Sequence, residues 1–107
     1  MELTKKLITD WVDVEHKEEK LGFFCAPLTA PQYMNCSQAM AGDAAIMAIR
    51  YAVRDWRGIT KEGAPLKFTP RNLESLFADA SLIELLGELG GKIIERSILT
   101  EEERKNS

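Results

Sequence analysis

Three side chains have the strongest potential for chemistry: the single histidine, His16, and the two cysteines, Cys25 and Cys36. A thiol next to an imidazole can act as a nucleophile with its base, and His16 and Cys25 fall on two segments that could pair. We favour a structural role, with His16 as a strand residue beside a small buried thiol. A structural zinc site needs four ligands, usually in closely spaced pairs. Cys25 and Cys36 are the two cysteines of the chain and are not closely spaced, and there is no second pair of ligands. No metal site is therefore expected.

Other motifs of catalysis and cofactor binding are also missing from the sequence. The carboxylates occur in polar runs such as 15–19 and 101–103, whereas a catalytic carboxylate needs burial or a close partner to shift its pKa. Gly87, Gly90 and Gly91 fall within a predicted helix, and no Lys-Ser/Thr follows them as it would in a phosphate-binding loop. We therefore predict a protein that is not an enzyme and that has no catalytic residues and no cofactor.

Length and composition are typical of one small globular domain. The chain has 107 residues, of which 45% are hydrophobic and 29% charged, and we treat 1–107 as a single domain. Its net charge of -3 makes nucleic acid an unlikely partner, because phosphate binding normally needs a basic surface. No apolar run approaches the ~18 residues of a membrane span, and no signal peptide is recognisable. These features predict a cytoplasmic protein with no membrane contact.

The N-terminal part has the period of a β-hairpin. Residues 11–16 alternate between Trp, Asp and Glu on one side and Val, Val and His on the other, which is typical of a strand. A polar turn at 17–20 and an apolar return segment at 21–28 complete the pattern. We predict a hairpin over 11–28, preceded by a short helix. A single helix over residues 3–19 is the main alternative.

The segment 31–99 is predicted to be helical. A break at Gly42-Asp43 precedes a helix over 44–56, with Asp43 as its capping residue. One apolar stripe follows the helical period on this segment: Ala45, Ile49, Ala52, Val53 and Trp56. Arg50, Arg54 and Arg57 form a basic stripe on another side of the same predicted helix. That stripe could dock on phosphate or on an acidic partner, or it could be a solvated helix face.

Trp56 stands before a polar loop at 58–68, and we predict a structural role for it. Its ring would continue the buried face, while its indole N–H would donate to a carbonyl of the loop. Leu66 and Phe68 would bring the loop back against the same core. Gly63 is expected to adopt positive φ in the turn.

Two further helices are predicted after this loop. Thr69 caps a short helix over 72–78, with proline at its first position. Ser81 caps the last helix, which Gly90-Gly91 interrupts, and the polar tail 100–107 should fray. The apolar residues of the last helix recur at helical spacing: Leu82, Leu86, Leu89 and Ile93. The predicted fold is therefore α+β and predominantly helical, with an N-terminal β-hairpin attached to a bundle of three or four helices.

Several short motifs occur in an order that resembles a known family. They are WRGI at 56–59, EGAPL at 62–66, FTPRNL at 68–73 and KNS at 105–107, after APLT at 26–29. This order resembles that of small tail assembly chaperones of tailed bacteriophages. The first ten residues have no counterpart in that pattern.

The resemblance implies a non-enzymatic protein of the host cell cytoplasm. Members bind the long tape-measure protein and keep it soluble while tail-tube protein assembles around it. Many are also made in a longer, frameshifted form. Two alternatives remain: a structural minor tail or tail-completion protein of the virion, and a small protein-binding regulator. A homo-oligomer is left open.

The surface expected to hold a client lies on the helices at 31–56 and 82–99. An apolar groove with a charged rim would suit a helical client. The flexible thioethers of Met34, Met40 and Met47 suit varied partners, although they could equally fill gaps in a small core. The candidate partner-binding residues are Met40, Met47, Arg50, Arg54, Arg57, Leu86 and Ile93.

Overall fold

The predicted N-terminal hairpin is present in the computed structural model, which describes residues 8–98. Strand β1 (Asp10–His16) pairs antiparallel with β2 (Glu19–Cys25). Lys17 and Glu18 form the turn, and both adopt positive φ, at 50° and 67°, as two-residue hairpin loops of this class require. The hairpin prediction is confirmed, and the single helix over 3–19 is wrong. The short helix expected before it falls largely outside the described residues.

The sheet contains a third strand that the sequence pattern did not predict. Strand β3 (Val53–Arg57) pairs antiparallel with β2, so the strand order is β1-β2-β3. The predicted helix over 44–56 is wrong at its C-terminal end, because the helix stops at Ala52. Phe24 pairs with Asp55, but the next residue, Cys25, pairs with Val53. Strand β3 therefore has one extra residue between these two pairs. This bulge turns Val53 and Trp56, three positions apart, toward the same core, and their spacing therefore imitates a helix.

Four helices and a small second hairpin complete the fold, and about half of the described residues are helical. The helix bounds are α1 Ala30–Gln38, α2 Ala41–Ala52, α3 Pro70–Phe77 and α4 Ile83–Ile98, with a 3₁₀ turn at Ala80–Leu82. The second hairpin joins β4 (Thr60–Lys61) to β5 (Ala64–Pro65). Gly63 in its turn has φ +82°, as predicted. No helix of the described part is long and apolar enough to cross a membrane.

The helix starts agree only in part with the predicted caps. Thr69 caps α3 as expected, since its hydroxyl oxygen accepts the N–H of Asn72 at 3.0 Å. The last helix is preceded by a cap at Asp79 rather than Ser81, with the Asp79 carboxylate accepting the Ser81 N–H at 3.0 Å. Helix α2 begins two residues before Asp43, which lies in its first turn. Helix α4 runs through its two adjacent glycines without interruption.

One hydrophobic core joins the sheet to the helices. The inner face of the sheet carries Val12, Val14, Leu21, Phe23 and Trp56, all buried. Helices α2 and α4 contribute a second layer of buried residues: Ala48, Ile49, Leu85, Leu86, Leu89 and Ile93. The α+β prediction is confirmed, with the β-hairpin extended to three strands. The polar tail expected at 100–107 lies outside the described residues.

Trp56 is a core residue, as predicted, although it stands on a strand. Only 6% of its surface is exposed, and its indole N–H donates to the Leu66 carbonyl at 2.7 Å. The Phe68 ring meets it edge-on, with centroids 5.0 Å apart. Leu66 also donates its N–H to the Ile59 carbonyl at 2.9 Å. The loop after β3 is therefore fastened to the core through the indole.

Candidate partner-binding surface

Two of the candidate partner-binding residues belong to the core. Leu86 is 6% exposed and Ile93 is 2% exposed, because both lie on the face of α4 that is turned into the core. A side chain enclosed in this way cannot reach a partner without unfolding, so these two assignments are corrected. Met47 is half-buried and packs against the same core. Of the apolar candidates, only Met40 is fully accessible, with 81% of its surface exposed.

The three candidate arginines do not form one basic stripe. Arg50 lies on α2, whereas Arg54 and Arg57 lie on β3, where the change from helix to strand sends them in different directions. Arg50 makes a bidentate ion pair with Glu74 of α3, with Nε–Oε2 at 2.8 Å and Nη2–Oε1 at 2.7 Å. Arg54 donates to the Tyr51 carbonyl at 2.7 Å. The prediction of one basic stripe, which was based on helical spacing, is therefore wrong.

Arg57 lies across the outer face of the sheet. Its guanidinium carbon is 4.3 Å from the ring centroid of Trp11, and its Nη2 is 3.1 Å from a carboxylate oxygen of Asp13. The side chain passes over Gly22, where a Cβ would collide with the arginine Nε. Phe24 stands next to Trp11, with ring centroids 5.2 Å apart. Arg57 thus joins β3 to β1 and serves the fold itself.

The histidine and the first cysteine are far apart on the hairpin. His16 pairs with Glu19 beside the turn, whereas Cys25 pairs with Asp10 at the other end. Burial raises the pKa of the Cys25 thiol to about 12, which keeps the thiol protonated and a poor nucleophile. The expectation that His16 lies beside this thiol is wrong, although Cys25 is buried as predicted. Within residues 8–98, no group of three or more potential ligands is placed to hold a metal ion.

Two exposed apolar side chains of the helical part lie close together in the chain, on and just after α1. Met34 is 53% exposed and Met40 is 81% exposed. We call the exposed side of this helix, together with the methionine that follows it, the α1 face. Its members are Ala30, Pro31, Met34, Ser37, Gln38 and Met40.

Helix α1 is positioned by its cap and by its contact with α2. The Thr29 hydroxyl oxygen accepts the Gln32 N–H at 3.3 Å, while the Gln32 side chain accepts the Thr29 N–H at 3.0 Å. This reciprocal pair is a capping box. Cys36 is the buried residue of the helix, and Asn35 donates to the Tyr51 hydroxyl at 3.2 Å. The helix is therefore fixed by one side and leaves its other side open.

The α1 face carries no charge. Residues 21–42 contain no Asp, Glu, Lys, Arg or His, although 29% of the whole chain is charged. The inner-facing part of this stretch is neutral because it is core, but the α1 face is neutral while exposed. Cores of protein interfaces are depleted in charged residues. The charge-free run is visible in the sequence, but only the structure separates its buried half from its exposed half.

Elsewhere the surface is less suited to an apolar partner. An open groove of about 510 Å³ lies between the sheet and α4, and its lining includes Asp13, Arg57, Glu88 and Lys92. These charges are already matched, since Arg57 pairs with Asp13 and Lys92 with Glu88 at 3.4 Å. Ile83, at the start of α4, is 72% exposed, but it stands beside a second groove that is also lined with charged residues.

Along the two edge strands of the sheet, β1 and β3, side chains form hydrogen bonds with backbone groups. The Trp11 N–H donates to the Asp10 carboxylate at 2.8 Å, and the Trp56 N–H donates to the Asp55 carboxylate at 2.8 Å. Lys92 donates to the Asp13 carbonyl of β1 at 2.9 Å. An incoming strand would have to displace these bonds before pairing. The edges of this sheet are thus poorly suited to strand addition.

Comparison of the chain with protein-family models, with curated protein sequences and with solved structures finds no significant match.

Proposed function

We propose that this protein is a non-enzymatic tail assembly chaperone of a tailed bacteriophage or prophage. It would act in the host cell cytoplasm, where it binds the tape-measure protein and keeps it soluble while tail-tube protein assembles. The order of motifs from residue 56 to residue 107 motivates the choice of family. The observation that carries the binding function is the exposed, uncharged α1 face with Met34 and Met40.

The α1 face suits a helical client for two reasons. Thioether side chains are flexible and polarizable, so they adapt to apolar partners of different shape. The other common mode, addition of a strand to a sheet edge, is disfavoured because side chains of Asp10, Asp55 and Lys92 occupy groups on the edge strands. We propose that a client helix packs against the α1 face.

The candidate residues divide accordingly between binding and folding. Met40 stays the leading contact, and Met34 joins it because of its exposure. Met47 is half-buried against the core, and we assign it to the fold. The arginines at 50, 54 and 57 make contacts within the chain, and we assign them to the fold.

Co-expression with the tape-measure protein encoded nearby tests the proposal. The wild-type chain should keep that protein in the soluble fraction and co-purify with it. The double variant Met34→Glu/Met40→Glu should fold but lose both effects, because it places two charges on the α1 face. Ile83→Glu is the control, since it adds a charge at another exposed apolar position, away from the α1 face, and should behave as wild type.

Mass spectrometry of purified virions distinguishes a chaperone from the main alternative, a structural tail component. A chaperone should be missing from mature particles or present far below stoichiometry. A stoichiometric amount in the particle, with no binding to the tape-measure protein, would move the assignment to a structural tail component.

A further inference from the structure

We infer that helix α3 opens as a local unit while the sheet, α2 and α4 stay folded. The α3 unit comprises residues 69–78, from the capping threonine to the residue after the helix. Opening transfers the apolar side chains of Leu73, Leu76 and Phe77 to water, and closing returns them to the core. This motion is a property of the chain itself and does not depend on the proposed client.

The α3 unit contributes little to the buried core. Leu73 is its buried residue, whereas Leu76 and Phe77 are only partly buried against the core. Helices α2 and α4 contribute five buried residues each, and they pack against each other, whereas α3 mainly contacts the 3₁₀ turn that follows it. Regions with few buried apolar contacts open at a lower free energy than the core. Detachment of α3 therefore leaves most of the apolar burial of the fold intact.

One residue of α2, Arg50, makes the long-range hydrogen bonds of the α3 unit within residues 8–98. Its guanidinium donates to both carboxylate oxygens of Glu74, and its guanidinium carbon is 5.0 Å from the ring centroid of Phe77. The two side chains of the ion pair are each 49% exposed, and exposed pairs add little stability. The other hydrogen bonds of the unit join residues that are close together in the chain. The unit is therefore held closed by Leu73 and by one exposed arginine.

Both ends of the α3 unit are held by contacts that do not involve the helix. Before the unit, the Phe68 ring packs edge-on against Trp56. After it, the Asp79 carboxylate accepts the N–H and the hydroxyl of Ser81, at 3.0 and 2.7 Å. The flanking chain can therefore stay in place when α3 detaches. A free helix of 8 residues is not stable in water, so the detached segment unfolds and its amides exchange with solvent.

Native-state amide hydrogen exchange of the full chain tests the opening. The protection factors of amides 73–77 should be at least about tenfold lower than those of Ile49 in α2 and Leu89 in α4. Protection at 73–77 should also depend weakly on low concentrations of urea, because opening exposes little surface, whereas Ile49 and Leu89 should show the strong dependence of global unfolding. The same protection and the same urea dependence at all these amides would overturn the inference.

A conservative core substitution separates local opening from global unfolding. Ile93→Val removes one methyl group from the buried side of α4, which stays folded in the open state. It should lower the protection factors of Ile49 and Leu89 roughly three- to tenfold. Protection at 73–77 should stay within about twofold of wild type, because the open and closed states lose the same core contact. An equal loss at 73–77 would show that α3 exchanges only by global unfolding, and the inference would be wrong.

An arginine variant tests which contact holds α3 closed. Arg50→Ala removes the ion pair and the cation–π contact, which exist only in the closed state, so protection at 73–77 should fall about two- to fivefold. Arg54→Ala is the control with the same change of charge, because Arg54 donates to the Tyr51 carbonyl and not to α3. It should leave 73–77 unchanged, and circular dichroism melting checks that both variants are folded. Unchanged protection at 73–77 in Arg50→Ala would overturn the role of this arginine.

Discussion

Gly90 of α4 lies directly against the backbone of Ala45 of α2. A Cβ built on Gly90 would stand 2.5 Å from both Cα and Cβ of Ala45 and 2.7 Å from its carbonyl oxygen. The two helices therefore approach here to a distance that only a glycine permits. This contact requires a glycine in the middle of a helix, where glycine costs about 1 kcal/mol relative to alanine.

The first prediction is that Gly90→Ala destabilises the fold. The added methyl group meets backbone atoms that cannot rotate away, so the helices must separate, at a cost of roughly 1–3 kcal/mol. Urea unfolding followed by circular dichroism measures the loss. Gly91→Ala is the matched control, because a Cβ there has no neighbour within 4 Å. It should leave stability unchanged or raise it by up to about 1 kcal/mol. Equal behaviour of the two variants would contradict the close contact.

The second prediction concerns Trp56. Its replacement by alanine should cost about 3–5 kcal/mol, the usual range for emptying an aromatic core site. The fluorescence of Trp56 should be blue-shifted in the native state because only 6% of its surface is exposed. The measurement is best made in a Trp11→Phe background, since Trp11 on the outer sheet face would otherwise contribute. A red-shifted, readily quenched emission would place the indole in solvent.

The parts of the fold that the sequence predicted well depend on local signals. The alternation at 11–16, the turn after it and the Thr69-Pro70 helix start each involve contacts within a few residues. The indole of Trp56 and its loop were predicted correctly for the same reason, because Leu66 follows closely in the chain. Such local features agree with the final fold without help from distant residues.

The parts that could not be predicted depend on distant contacts. Whether Val53 and Trp56 lie on a helix or on a bulged strand is decided by pairing with β2, about thirty residues earlier in the chain. The prediction of helix at these positions is wrong, and the predicted stripe of three arginines is wrong for the same reason. The burial of Leu86 and Ile93 depends on which side of α4 packs against α2. The exposure of α1 depends on how few other elements of the fold pack against it.

The third prediction is that Arg57 stabilises the sheet and does not bind a partner. Arg57→Ala should lower stability by about 1 kcal/mol, because it removes a cation–π contact and an exposed ion pair. Gly22→Ala should displace the same side chain, since its Cβ would collide with the Arg57 Nε. The double variant should therefore lose less than the sum of the two single losses. Strict additivity, or loss of client binding in the stable single variant, would argue against this role.

The last prediction is a pH dependence of the link between α2 and α3. The hydrogen bond from Arg50 lowers the pKa of Glu74 below its ordinary value of 4.5. A carboxyl group whose pKa is lower in the folded state contributes stability above its unfolded pKa, and this contribution is lost as pH falls through the folded pKa. Glu74→Gln should therefore be less stable than wild type at neutral pH by roughly 0.5–1 kcal/mol, the range for a well-formed exposed pair.

The difference between wild type and Glu74→Gln should shrink as the pH falls through the lowered pKa of Glu74, because below that pKa both chains carry a neutral group at this position. Urea midpoints of the two proteins at neutral pH and at about pH 2.5 measure it. Glu95→Gln, at an exposed position of α4, serves as the matched control and should differ little from wild type at either pH. A Glu74→Gln deficit that persists unchanged in acid would mean that the side chain acts through packing, since its charge would no longer be present.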